Sequence, residues 1–436
     1  MKKTVNVIGC GLAGAEAVYQ LAKRGISVDV FEMKPTKFSP AHSSENFAEI
    51  VCSNSLKSID PATASGCLKA ELKELDSLIL KCAEKVKVPA GLALAVDRDK
   101  FSELVTNEIK SLENVTIHRE EVTKLDLTIP TIVATGPLTS DALFEELKNL
   151  IGSDILHFYD ASAPIIDADT LEHAATFTAE RYGKGDSDYI NCPLNKDEYY
   201  AFIKELVQAE RVELHNFEKS EIFEGCMPVE VMASRGVDTL RFGPLRPVGL
   251  TLQDGTRPFA VVQLRKENNT NSLYNIVGFQ TNLKFGEQKR VFSMIPALKN
   301  AEFIKYGVMH RNSYICAPKY INSDFSVKGF ENLYIAGQLS GVEGYMESTA
   351  SGLVAGICLA NKILGKTLDN FPKTTIIGAI INYLTTASKE NFQPMNANFG
   401  ILPPLDVIIK DKSLKKQAYT NRAILDIKSY KERYEC

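Results

Sequence analysis

Two cysteines sit where a thiol could do chemistry. Cys52 is followed by Ser53, Asn54 and Ser55, which reads as a polar, exposed turn. Cys226 lies in Glu224-Gly225-Cys226-Met227-Pro228, a loop with glycine before the sulfur and a helix breaker after it. A reactive thiolate needs local donors or positive charge, and such loops can supply them. The alternative is a buried, inert thiol, the ordinary state of a free cysteine, and spacing alone does not separate the two. A second set of residues is cationic. Arg241 and Arg246, with Arg257 nearby, are interleaved with Gly243, Pro244, Pro247 and Gly249. A backbone stiffened in this way presents guanidiniums to phosphate or carboxylate groups, against the plainer reading of solvated surface arginines. His310, Arg311 and Asn312 repeat the theme: a lone histidine is ordinarily packed or solvated, but beside arginine and asparagine an anion site competes.

The elements that must position these groups begin at the N-terminus. Residues 5–8 form an apolar run that stops at Gly9-Cys10-Gly11-Leu12-Ala13-Gly14, followed by a helical pattern over 15–24, Gly25 as a stop, and a second strand over 27–31 ending at Glu32. This is a βαβ unit opening with GxGxxG and carrying an acid about 20 residues further on. Gly9 makes the tight turn, Gly11 lets backbone approach a pyrophosphate, and Gly14 lets helix and strand pack closely. The helix N-terminus offers unpaired N–H groups to phosphate. Glu32 can accept hydrogen bonds from a ribose diol, and its charge disfavours a 2′-phosphate. Cys10 is small and is read as structural. The segment is expected to bind a dinucleotide, FAD or NAD.

Composition bounds the rest. The chain has 436 residues, 44% hydrophobic and 24% charged, which suits two or three domains with a core able to enclose a cofactor. A net charge of −4 makes any nucleic-acid surface local rather than global. Nine cysteines without a CxxC argue against a zinc site or a redox dithiol, so no metal is expected. No signal peptide precedes the first strand and the longest apolar stretch is too short to span a bilayer, so a cytoplasmic location is expected.

Along the chain, residues 33–48 read as a long loop, 49–57 as a turn and helix start, 64–81 as one helix, 93–98 as a strand and 99–112 as a helix. Residues 115–119 and 122–127 read as a small hairpin. The buried strand 131–136 ends in Ala134-Thr135-Gly136, which flavoproteins place near FAD. A late strand, 332–337, ends at Gly337, continues through Gln338 to Gly344, and leads into an apolar helix over 347–364. The fold class expected is α/β: a discontinuous, Rossmann-like FAD-binding domain (1–157 and 319–436) with an inserted α+β domain (158–318). No second GxGxxG occurs, so a nicotinamide reductant has no module of its own. The tail, 406–436, reads as a lysine-rich helix, either a solvated face or a contact to nucleic-acid phosphates.

Longer motifs add a resemblance. VCSNSL (51–56), EGCMPVEVMA (224–233), RFGPLRPVGL (241–250), YNIVGFQTNLKFGEQKRVF (274–292), YGVMHRN (306–312), AGQLSGVEGYMES (336–348) and NFQPMNANFG (391–400) resemble the folate- and FAD-dependent RNA uracil-5-methyltransferases, relatives of the GidA-type tRNA-modifying flavoproteins. The resemblance runs to about Pro404. It implies methylation at C5 of a uridine with 5,10-methylenetetrahydrofolate as carbon donor, reduced FAD as reductant and NADH or NADPH to restore it. The substrate it implies is structured RNA, the T-loop uridine of tRNA or a uridine of 23S ribosomal RNA; a GidA-like action on wobble uridines with a partner protein is the reading of another class. By the same analogy Cys52 is the nucleophile and Cys226 the base, or the reverse. Gly337, Gln338 and Gly344 complete the cofactor set with Thr135 and Gly136, and Arg241, Arg246, Lys284, His310 and Arg311 are candidates for RNA or folate. Lys57 and Phe285 depart from the arginine and tryptophan usual in the family, which leaves the RNA target open.

Overall fold

The computed structural model describes residues 4–152, 155–179, 181, 188–212, 227–252, 254–390 and 392–434, with backbone only for 155, 157–159, 310 and 311. Five short strands form a fully parallel sheet in the order Leu333–Ile335, Thr131–Val133, Thr4–Ile8, Ser27–Phe31, Val115–His118. The central strand buries Val5 and Val7, which share one face, completely, while Thr4 and Asn6 on the other face are half-buried. Strands from both ends of the chain are therefore neighbours in one sheet.

Helix Leu12–Ala22 follows the first strand and is buried along almost its whole length. It is sandwiched between the sheet and helix Tyr345–Ile363, and glycine makes that approach possible. A Cβ at Gly352 would lie 2.1 Å from the Ala13 carbonyl oxygen, and one at Gly14 would lie 1.9 Å from that of Gly9.

A second sheet is antiparallel and six-stranded, in the order Phe177–Thr178, Ile190–Leu194, Ala260–Lys266, Leu273–Ile276, Ile165–Asp167, Phe303–Lys305. It has its own apolar core, with Tyr199, Phe202, Phe279 and Phe292 at its centre. A ribbon of Ile155–Ala161 paired with Met309–Ile315 runs beside it.

Three expectations are corrected. The single helix over 64–81 is two, Ala64–Glu74 and Leu78–Lys85, broken where Asp76 takes φ +64°. The cause is remote: the buried Glu16 carboxylate accepts hydrogen bonds from the Leu78 and Ile79 N–H groups and the Ser77 hydroxyl, fixing a new helix start there. The hairpin over 115–127 does not form. Val115–His118 instead pairs in parallel with Ser27–Phe31, and 122–127 carries no strand. Residues 49–57 start no helix; Ser55–Ser58 pairs antiparallel with Ala93–Val96 in a three-stranded sheet completed by Lys87–Val88. Among the described residues no helix is long and apolar enough to cross a membrane.

The crossing at Gly352 yields a prediction. Gly352→Ala drives a methyl into backbone that cannot step aside, so it should cost about 1–3 kcal/mol and lower the thermal midpoint by a few degrees. An unchanged melting curve would mean that the two helices separate freely.

Candidate functional site

The glycine turn, the loop after Ser27–Phe31, and residues 134–140 and 337–348 enclose a cleft with about 1090 Å³ of atom-free space, counting its open mouth. Of the sequence-derived cofactor residues, Gly9, Gly11, Leu12, Ala13, Glu32, Thr135, Gly136, Gly337 and Gln338 line it. The glycines divide by what surrounds them. Gly9 has φ +86°, and a Cβ there would meet Thr135 Cα at 2.7 Å; Gly14 is closed by Gly9 itself. Gly11 is different: it is exposed, and a Cβ would meet nothing within 4 Å. The fold requires Gly9 and Gly14, whereas no packing contact requires glycine at 11, where the missing side chain leaves a cradle open to a ligand. Gly11 also caps helix Leu12–Ala22 without any side-chain hydrogen bond, and no acid stands in the first turn, so the helix N–H groups face the cleft unopposed. These features fit the pyrophosphate of a dinucleotide.

Glu32 is buried, with its carboxylate accepting from Cys10 N–H at 3.0 Å and Lys34 N–H at 3.1 Å. The loop after it walls the cleft: Lys34 Nζ donates to the Asn46 carbonyl at 2.6 Å, and Arg119 donates to the Lys34 and Glu45 carbonyls while lying over the Phe47 ring. Cys10 is buried, and burial pushes its thiol well up, as suits a structural role. Gly344 does not line the cleft. It takes φ +116° beside Glu347 and Lys57 and starts helix Tyr345–Ile363.

Cys52 is next to this cleft, whose wall includes Val51 and Tyr345. The Tyr345 hydroxyl accepts from Cys52 N–H at 2.9 Å and from Ser53 N–H at 3.3 Å. The thiol is not on an exposed turn; it is partly covered and donates to the Ala161 carbonyl at 3.6 Å. Burial pushes it up, with Asp160 and Glu343 acting in the same sense and Arg98 and Arg265 opposing. Ionisation therefore needs a change in its surroundings, such as substrate or cofactor binding.

Two arginines that sequence reasoning passed over hold this turn. Arg98 donates to the Ile50 carbonyl at 2.7 Å and the Cys52 carbonyl at 3.2 Å, and pairs with buried Glu267 through Nε at 2.6 Å and Nη2 at 3.3 Å. Arg265 donates to Asn54 Oδ1 at 2.9 Å and Ser53 Oγ at 2.8 Å. Asn54 in turn donates to the Val96 and Lys266 carbonyls. Glu343 was likewise missed, although it lies within a quoted motif. It is 7% exposed and accepts from Gln338 Nε2 at 2.8 Å. Only tertiary neighbours mark these residues out.

Cys226 lies outside the described residues, as do the side chains of His310 and Arg311, whose backbone belongs to strand Met309–Ile315. Arg241 is engaged within the fold: it lies over the Phe259 ring at 3.6 Å, donates to the Phe259 carbonyl and pairs with Asp238. Arg246 is half-buried in the turn that follows helix Thr239–Phe242. Lys284 is exposed and pairs with Glu210 at 2.7 Å.

The family model described as glucose inhibited division protein A matches residues 4–367. Methylenetetrahydrofolate–tRNA-(uracil-5-)-methyltransferases are similar over nearly the full length. That of Lactobacillus johnsonii is 53% identical over 433 residues, 99% of each chain, and that of Acetivibrio thermocellus is 54% identical over 431 residues, again 99% of each. The chain belongs to the GidA family and to that of these methyltransferases. Aquifex aeolicus GidA, 18% identical with a TM-score of 0.72 over 99% of this chain and 74% of its own, shares the fold. GidA-family membership and the cleft agree on FAD as the occupant.

Two predictions follow from this geometry. Gly11→Val should give a folded but colourless protein, because the added atoms meet no protein and take the cofactor's place; a yellow preparation with normal flavin content would refute that. Burial, with Asp160 beside it, lifts Glu343 from an ordinary 4.5 to about 8. A raised folded-state value means that its contribution to stability is complete below pH 4.5 and is lost as pH rises through about 8. Denaturant titrations from pH 5 to 9 should show wild type losing stability relative to Glu343→Gln across that window. A constant difference would mean that the acid ionises normally.

Proposed function

We propose that this chain is a methyltransferase that places a methyl group on C5 of a uridine in tRNA, with 5,10-methylenetetrahydrofolate as the carbon source. The observation that carries the reading is the full-length similarity to enzymes named for that activity, in a chain whose Cys52 turn abuts a dinucleotide cleft. Gly9, Gly11, Leu12, Ala13, Glu32, Thr135, Gly136, Gly337 and Gln338 would hold FAD, which when bound supplies the electrons that reduce the transferred carbon to a methyl group. NADH or NADPH restores it, docking transiently because no second dinucleotide motif occurs. The location is cytoplasmic.

The work of the protein groups follows from the chemistry of uracil. C5 is a poor nucleophile until a thiolate adds at C6 and turns the ring into an enolate. After carbon transfer a base must remove the C5 proton so that the C6–S bond can break and release the thiolate. Cys52 is assigned the first task and Cys226 the second. The Tyr345 hydroxyl and the Arg98 and Arg265 guanidiniums hold the backbone and neighbours of Cys52 in place. The uridine must leave its stack to reach the thiol, as nucleobases do in other enzymes that act on them.

The assay supplies labelled methylenetetrahydrofolate with a transfer RNA transcript or 23S ribosomal RNA separately. Label should enter transfer RNA; entry into ribosomal RNA alone would move the target, and entry into neither would sink the reading. Cys52→Ala and Cys226→Ala should each abolish transfer while the protein stays yellow, and activity in either variant removes that residue from its role.

A further inference from the structure

A row of aromatic rings leads from the core of the six-stranded sheet to the surface. Phe279 and Phe292 pack edge to face at 5.2 Å in the core, and Phe292 meets Phe303 at 6.4 Å. From there the rings become parallel. Phe303 and Tyr306 stack at 5.5 Å with 3° between planes, and Tyr306 and Phe285 at 4.9 Å with 15°. Phe285, the outermost, is 52% exposed. Tyr306 is its only ring neighbour among the described residues. A phenylalanine stacked on one face and half open to solvent leaves apolar ring surface in water, a cost that a ligand with a flat face would remove.

Three further features specify that ligand. Each of the two outer rings is preceded by a lysine, Lys284 before Phe285 and Lys305 before Tyr306. Lys284 pairs with the exposed Glu210, a pairing of little strength in water, and Lys305 makes no ion pair among the described residues. Lysines next in sequence to stacked rings suit a base with its backbone phosphate. The platform is also rigid. A Cβ at Gly307 would lie 2.6 Å from both the Ser162 carbonyl oxygen and Thr281 Cγ2, and Gln288 both donates to the Gly307 carbonyl and accepts from its N–H. Finally, the chain leaving Tyr306 leads directly to the thiol. Val308 accepts from Ser162 N–H at 2.8 Å, and the preceding residue, Ala161, takes the Cys52 thiol hydrogen bond.

We propose that Phe285, backed by Tyr306 and Phe303, is a stacking platform for a nucleobase of the RNA substrate, joined to the Cys52 turn through Val308, Ser162 and Ala161. This inference rests on the reading of the chain as an RNA methyltransferase. An unpaired base in an RNA loop offers the flat face that the platform lacks, and stacking tolerates any base, so the platform contributes affinity and placement rather than sequence choice. Its rings are held before the RNA arrives, which lowers the entropy lost on binding.

The test uses the flavin-loaded full chain and a transfer RNA transcript. Phe285→Ala should weaken transcript binding roughly tenfold, the scale of one lost base–aromatic stack, with flavin content, melting curve and tetrahydrofolate binding unchanged. The chain contains no tryptophan, so Phe285→Trp creates a single-tryptophan protein. Its transcript affinity should match wild type, and its emission should be quenched when transcript is added but not when tetrahydrofolate is added. Unchanged transcript affinity in Phe285→Ala, or unchanged emission in Phe285→Trp, overturns the proposal. Loss of tetrahydrofolate affinity in place of transcript affinity also overturns it and gives the ring to folate. Wild-type protein that neither binds nor methylates the transcript marks instead the failure of the underlying functional reading.

Discussion

The ion pair between Arg98 and Glu267 is the joint on which the site depends. Arg98 opens a helix packed on the core of the parallel sheet, whereas Glu267 directly follows a strand of the antiparallel one. Both are largely buried, and buried charges are tolerated only when each satisfies the other. Because the same guanidinium also holds the Ile50 and Cys52 carbonyls, the path of the thiol turn is set by the docking of the two cores. Arg265, from the second core, adds a grip on Ser53 and Asn54. The cysteine is thus positioned by tertiary assembly rather than by its own segment.

That arrangement explains how far sequence reasoning could go. The glycine turn was legible because its requirements are local: a positive φ at Gly9, a closed contact at Gly14 and an open one at Gly11 are written into neighbouring residues. The helix break at Asp76 was not, because its cause is a carboxylate 61 residues away from Ser77. Val115–His118 was misread because parallel pairing joins it to a strand far back in the chain, and a hairpin is the natural reading of two adjacent short runs. Arg98 and Arg265 look like ordinary strand-end and strand arginines until the cores are brought together. The motif resemblance reached Cys52 but could not supply its neighbours, and the polar run Ser53-Asn54-Ser55 suggests an exposed turn where the thiol is in fact partly covered.

Three buried carboxylates show how environment separates structural acids from those suited to chemistry. Glu16 and Glu71 both cap helices that are remote in sequence, with Glu71 accepting from Ile376 N–H at 2.6 Å and Ile377 N–H at 2.9 Å. Burial raises both, Glu71 to about 7, but the backbone donors favour the ionised form and moderate the shift. Among the described residues Glu343 has no backbone donor on its carboxylate; one side-chain amide opposes burial and the neighbouring Asp160. It therefore keeps its proton to higher pH than Glu71 does.

Tyr345 belongs at once to the wall of the dinucleotide cleft and, through its hydroxyl, to the backbone of Cys52 and Ser53. Whatever fixes that ring also tightens the sulfur-bearing segment. A change in how that ring packs would therefore reach the thiol turn through two hydrogen bonds.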